Sequence, residues 1–148
     1  MFKLKYPRSG IWIVNTDGAI RPSQGISGLG AVARDSEGEI RYWWSEKTTE
    51  LTCNEAEYAA AVMALEKMRN CGIRQVILLT DSKVMVDQIE GRSTVRANNL
   101  RGWYQKLRNI IHVFERVKFV HIPREQNRLA DALANEAVDK RENYVFTL

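Results

Sequence analysis

The hydrophobic pattern of this chain first changes period near residue 53. Before that point lie three segments of strand composition. IWIVNTDG (11–18) mixes β-branched and aromatic residues and breaks at glycine, which predicts a strand ending near Asp17. IRPSQGIS (20–27) has turn composition, GLGAVARD (28–35) reads as a second strand, SEGE (36–39) as a tight turn, and IRYWWSEKT (40–48) as a third strand. Three consecutive strands on short connections make an antiparallel meander. From 53 to 70, Ala, Val, Met and Leu recur at helical spacing, and Gly72 supplies the stop.

Strands and helices then alternate. VILLTD (76–81) is a short apolar run expected as a buried strand, and Ser82 is a fitting N-cap for a helix through about residue 90. EGRSTVRANN (90–99) is a polar connection, LRGWYQKLRNIIHVF (100–114) an amphipathic helix, VKFVHIP (117–123) a final strand and NRLADALANEAVDK (127–140) a final helix. The tail ENYVFTL either packs as an edge segment or hangs free. Strands separated by helices pair in parallel. The expected fold is therefore α/β: a mixed five-stranded sheet, strands 1–3 antiparallel and strands 4 and 5 parallel, flanked by helices. No repeat or linker interrupts the 148 residues, so one domain spanning 1–148 is expected, with its core at about 10–140 and a tail at 141–148.

Composition narrows the function classes. The chain is 45% hydrophobic and 27% charged, ordinary values for a globular protein. No apolar run approaches the roughly 18 residues of a membrane span. MFKLKYPRSG has a basic start without the apolar stretch of a signal peptide, so a cytoplasmic protein without membrane contact is expected. The net charge of +4 leans toward a polyanionic partner. Cys53 and Cys71 fall at opposite ends of one expected helix, roughly 27 Å apart at about 1.5 Å per residue. That is beyond disulfide reach, and with no histidine beside them they make no zinc site.

Most of the 18 acidic residues are expected on solvated surface, but four stand out by position. Asp17 shares a strand face, by period two, with Ile11, Ile13 and Asn15; alternatively it is a turn aspartate before Gly18. Asp81 ends an expected central strand, at the edge where open α/β sheets concentrate their ligand sites, or else it caps the next helix, a task Ser82 can fill. Thr52 and Glu55 match a capping box, which gives Glu55 a structural task. Glu57 has none: it falls in line with Ala61, Ala64 or Leu65, and Met68, where a carboxylate needs a compensating partner. Asp131 lies four residues after Asn127, beside the Ala130/Leu133/Ala134/Ala137 stripe, on what is otherwise a solvated helix flank. Four carboxylates brought together would repel one another unless divalent cations bind, and oxygen-only ligands suit magnesium or manganese. Two such ions about 4 Å apart would support in-line phosphodiester hydrolysis.

On these motifs the chain resembles ribonuclease H, type 1, over about residues 10–140. The resemblance rests on NTDGA around Asp17, TCNEAEYAA around Glu57, LLTDSK around Asp81 and PREQNRLADALA around Asp131, in the family's order. It implies a ribonuclease H-like fold in which Asp17, Glu57, Asp81 and Asp131 bind two Mg2+ or Mn2+ ions. It also implies cleavage of the RNA strand of an RNA/DNA hybrid, leaving 5′-phosphate and 3′-hydroxyl ends. Asn54 matches the position that contacts the hybrid near RNA 2′-hydroxyls, the group that separates RNA from DNA. Thr52 matches the position that grips a DNA phosphate, alongside its capping task. Gly18 and the backbone amides of the 18–25 loop, with Ser82, Lys83 and Asn127, complete the implied substrate contacts.

The chain also departs from that pattern. The loop that carries a histidine in many members is shortened to HIPREQN, with His121 still in the strand and Arg124 in the loop. Arginine stays protonated, so Arg124 would clamp a phosphate and not shuttle protons. Lys83 stands where longer members often carry a glutamine. Neither the basic, tryptophan-rich protrusion of longer members nor an N-terminal hybrid-binding domain is expected within these residues. The helix with Arg101, Trp103 and Tyr104 either offers charge and stacking to the DNA strand or is an amphipathic helix with solvated cations. A monomer without an organic cofactor is expected. The alternatives are a catalytically weak or silent nucleic-acid-binding module, which would usually have lost an acid, or another nuclease of the same fold. The glutamate of the first helix and AD-x-LA in the last argue against the latter. A small-molecule binder would need a glycine-rich phosphate loop after the first strand.

Overall fold

The computed structural model describes residues 9–139. Strands β1 (Ile11–Arg21), β2 (Ile26–Arg34), β3 (Ile40–Thr49), β4 (Gln75–Thr80) and β5 (Arg116–His121) form one sheet in the order β3-β2-β1-β4-β5. The first three pair antiparallel, β4 lies parallel to β1, and β5 lies parallel to β4. The mixed five-stranded sheet is thus the expected one, with β1 at its centre. Four α-helices complete the described residues: α1 (Cys53–Asn70), α2 (Lys83–Ile89), α3 (Asn98–Ile111) and α4 (Arg128–Asp139).

Two glycines mark how closely helices approach the sheet from its two sides. A Cβ on Gly18 would stand 2.7 Å from the backbone of Ala56, so α1 lies almost directly on β1. Asp17 pairs with Gly30, on the opposite side of the pleat from Gly18. A Cβ on Gly30 would run into the backbone carbonyl of Ala130, which brings α4 down on the other face. Between α1, α3 and the sheet lies the main core, in which Trp12, Tyr58, Leu65, Met68 and Leu78 are fully buried. Burying side chains of this size stabilises the fold by roughly 1.5–3 kcal/mol each.

Helix α1 begins and ends where its sequence says it should. The Thr52 hydroxyl accepts from the Glu55 N–H at 3.2 Å, and the Glu55 carboxylate accepts from the Thr52 N–H at 2.9 Å. Gly72 adopts φ 81° just past its C-terminal end, a left-handed conformation that glycine takes without strain. Cys53 and Cys71 stand at its opposite ends.

The expected turn at 20–27 is a correction. Gly18 does not break the first strand, because the ladder continues through Ile20↔Ser27 and Arg21↔Ile26. The connection is only a 3-10 turn, Pro22–Gln24, closed by Gly25 at φ 67°. Proline lacks the N–H that a ladder needs, and this stops β1. On α3, Leu100, Leu107 and Ile110 are buried and Trp103 and Tyr104 are half-buried against the core, while Arg101 is exposed. That favours the amphipathic reading of this helix. The tail ENYVFTL lies outside the described residues.

Candidate active site

The parallel pairing of β1 with β4 puts two acids level with each other. Asn15 pairs with Leu79, so two residues further along Asp17 comes beside Asp81, which directly follows β4. Helix α1 adds Glu57 from above: the Gly18 N–H donates both to Glu57 Oε1 at 2.8 Å and to Asp17 Oδ1 at 2.9 Å. The close approach that Gly18 permits is therefore what carries Glu57 to Asp17. Asp17, Glu57 and Asp81 each offer a carboxylate oxygen, and these atoms all lie within 4.8 Å of one another.

Asp131, in the first turn of α4, is not in that set of three but lines the same cleft and reaches Asp17. Asp17 therefore contacts both Glu57 and Asp131. Its own side chain is among the buried polar groups, at 5% exposure.

Burial drives the protonation of this cluster. Desolvation raises Glu57 to about 9, helped by the charges of Asp17 and Asp81 and by its hydrogen bond with Asp17. Asp17 rises to about 7, again chiefly by desolvation, with the Asp81 charge and the Asp131 contact adding to it; the hydrogen bonds from Glu57 and Gly18 oppose the rise. Glu55, only two residues from Glu57, moves the other way. The Thr52 N–H holds its carboxylate below the usual range. Acids held this close repel one another once ionised. The donor set is carboxylate oxygen only, which fits a hard divalent cation such as Mg2+ or Mn2+.

The cleft holding these acids measures about 610 Å3, and Asn54, Ser82, Lys83, His121 and Arg124 also line it. Asn54 is exposed at the start of α1, and Thr52 is exposed beside it as the cap. The Ser82 hydroxyl caps α2 by accepting from the Met85 N–H, and Lys83 pairs with Asp87 at 2.6 Å. Arg124 is exposed on a 3-10 turn, Arg124–Gln126, and His121 is exposed as the last residue of β5.

Two of the implied substrate contacts, Gly18 and Asn127, are engaged within the protein. The Gly18 amide already donates to Asp17 and Glu57, so its N–H is engaged inside the cluster. Asn127 is 1% exposed, and its side chain is committed to protein partners. Its Nδ2 donates to the Thr16 carbonyl at 2.9 Å and approaches Asp81 Oδ2 at 3.5 Å, while its Oδ1 accepts from Asn15 Nδ2 at 3.1 Å. Its backbone N–H donates to the Arg124 carbonyl, and its carbonyl accepts from the Asp131 N–H. Asn127 thus joins the segments that carry Asp17, Asp81, Asp131 and Arg124. Asn15, its buried partner, is bonded in turn by Arg34 at 3.3 Å. The only sequence signal for this pair is an asparagine in a strand, on the face shared with Asp17.

A five-stranded mixed sheet with α1 and α4 on opposite faces, and acids converging at β1, β4, α1 and α4, is a ribonuclease H-like fold with its acidic cleft. A family model described as reverse transcriptase-like matches residues 15–137. The ribonuclease H of Alcanivorax borkumensis is 32% identical, over 88% of this chain and 93% of its own. RNase H1 of Halobacterium salinarum superposes with a TM-score of 0.84 at 32% identity, covering 88% of this chain and 98% of that one. LC11-RNase H1, solved in complex with an RNA/DNA hybrid, superposes at 0.80 with 35% identity over 86% of this chain and 96% of its own. The chain belongs to the ribonuclease H family. It spans 35% of the length of a bifunctional protein of Mycobacterium tuberculosis that is 30% identical to it, and 62% of the ribonuclease HI of Halobacterium salinarum. Among the described residues, no helix is long and apolar enough to cross a membrane.

Proposed function

We propose that the chain is a monomeric, cytoplasmic ribonuclease H that hydrolyses the RNA strand of RNA/DNA hybrids with two divalent cations, leaving 5′-phosphate and 3′-hydroxyl ends. The observation that carries this reading is the carboxylate cluster, with oxygens of Asp17, Glu57 and Asp81 within 4.8 Å of one another. A buried cluster of this kind is stable in ionised form only with cations beside it. Asp17, Glu57, Asp81 and Asp131 are the residues that would hold the ions, and Asp17 contacts both Glu57 and Asp131. When bound, the ions supply an activated water and neutralise charge on the leaving oxygen.

The other residues bind and orient the hybrid. Asn54, exposed in the cleft at the start of α1, offers an amide to the RNA minor groove, where the 2′-hydroxyl lies. Thr52, exposed two residues earlier, takes a DNA phosphate while its hydroxyl also caps α1. Lys83 and Ser82 edge the cleft on the α2 side, and Arg124 on the opposite loop clamps a phosphate through its planar guanidinium. Asn127 acts behind the acids, holding their segments in register. No organic cofactor enters this chemistry.

A substrate panel tests the reading. Labelled RNA/DNA hybrid, duplex RNA and duplex DNA are offered with Mg2+, and the ends of any products are mapped. Cleavage confined to the RNA strand of the hybrid, with 5′-phosphate ends, supports the proposal. Tight hybrid binding without cleavage contradicts it.

A further inference from the structure

Asp131, like Asp81 beside Asn127, is bonded by a side chain that does not line the cleft. Asn135, one helical turn further along α4, donates through Nδ2 to Asp131 Oδ1 at 3.2 Å and to the Asp131 carbonyl at 2.9 Å. An asparagine amide can be turned either way, and here a second residue decides it. Arg21, the last residue of β1, donates through Nη2 to Asn135 Oδ1 at 2.8 Å. A guanidinium only donates, so the amide oxygen must face Arg21 and the amide NH2 must face Asp131. Arg21 is itself held, donating to the Ile20 carbonyl at 3.0 Å and to Asp139 at 3.2 Å.

We propose that Asn135, oriented by Arg21, is a positioning residue that fixes the rotamer of Asp131 and so leaves its other oxygen, Oδ2, to face Asp17 and a cation. The reason lies in where Asp131 stands. Oxygens of Asp17, Glu57 and Asp81 lie within 4.8 Å of one another, whereas Asp131 is outside that set and comes from α4, on the opposite face of the sheet from α1. A carboxylate on an open helix flank rotates freely about its side-chain bonds, and a ligand that must be ordered on binding binds more weakly. A donor on one oxygen removes that freedom without neutralising the charge. The inference rests on the proposed metal-dependent function.

The test is calorimetric titration of Mn2+ into the protein without nucleic acid, together with hybrid kinetics. Asn135→Ala is expected to weaken Mn2+ binding about ten-fold, as is usual for loss of an outer partner of a metal ligand. It should lower kcat while leaving KM for the hybrid unchanged. Arg21→Met, which keeps Asn135 but frees its amide, should shift both readings the same way by a smaller factor, and serves if Asn135→Ala does not fold. In an Asp131→Asn background, Asn135→Ala should change nothing further. Unchanged Mn2+ binding in both single variants, or a loss that persists in the Asp131→Asn background, overturns the positioning role. A wild-type protein that cuts no hybrid overturns the proposed function instead, and the Mn2+ titrations still judge the role of Asn135.

Discussion

The Gly18 N–H on β1 donates to the Glu57 carboxylate on α1 at 2.8 Å, and this bond exists because α1 can press onto a residue that has no Cβ. Glu55, two residues before Glu57, faces the other way and closes on Thr52. Neighbouring glutamates of one helix therefore have separate roles, and their substitutions separate accordingly.

Glu57→Gln is predicted to keep the fold, to raise the thermal midpoint of the chelated protein at neutral pH by removing the cost of keeping the buried carboxyl protonated, and to abolish hybrid cleavage. Glu55→Gln should retain cleavage and lose about 0.5–2 kcal/mol, the usual cost of a weakened cap. Thermal unfolding and a cleavage assay on the two variants check both statements, and an inactive Glu55→Gln with an active Glu57→Gln would reverse the assignment.

Stability without metal should fall as pH rises. Asp17 and Glu57 titrate at about 7 and about 9 in the fold, against 3.8 and 4.5 as ordinary values. Between those limits the native state holds protons that the unfolded chain releases, so stability is full below about pH 4 for these two groups and declines through pH 9. Thermal midpoints in chelator, scanned from pH 5 to 9, should decrease, and millimolar Mg2+ should flatten the slope. A midpoint that climbs across this window in chelator, after correction with the Glu57→Gln variant, contradicts the assignment.

Gly18→Ala is predicted to destabilise the protein by about 1–3 kcal/mol, the range for overpacking a filled contact, since its Cβ would meet Ala56 at 2.7 Å. It should also slow cleavage, because α1 must lift away from β1 and take Glu57 with it. Urea denaturation and single-turnover cleavage measure the two effects. A variant with normal stability and normal rate would show that the close approach is unnecessary.

Asn127→Ala removes donors and an acceptor from a buried site and should cost about 1–3 kcal/mol through the unsatisfied groups left behind. Because Asn127 touches protein and not the cleft, the hybrid KM should hold while kcat falls. A pure KM effect would return Asn127 to the substrate-contacting role that its sequence position suggested.

Much of this was legible before any coordinates. The Thr52–Glu55 box and Gly72 delimit α1 because both signals are local. Glu57 stands out because a carboxylate on an apolar helix stripe has no ordinary task, whereas Asp17, Asp81 and Asp131 each have an ordinary alternative and stand out only through the order of their motifs. The limits of β1 were not: Gly18 looks like a strand breaker, and only the pairing with β2 and the pressure from Ala56 explain a glycine inside a continuous ladder. The protein partners of Asn127 are hidden in the sequence for a related reason. A polar residue one turn before Asp131 looks solvent-facing until β1 supplies Asn15 and the Thr16 carbonyl, contacts more than 100 residues away in the chain. Arg21 and Asn135 carry no local signal at all, since their relation to Asp131 arises only when α4 lies across β1.

The most direct test of the account is strand-resolved cleavage of a labelled RNA/DNA hybrid by the wild-type protein and by Asp17→Asn, each with Mg2+ and with excess chelator. The account predicts cuts in the RNA strand by the wild-type protein with Mg2+ and no cleavage in the other three conditions. Cleavage that persists in chelator, or in Asp17→Asn with Mg2+, would contradict it.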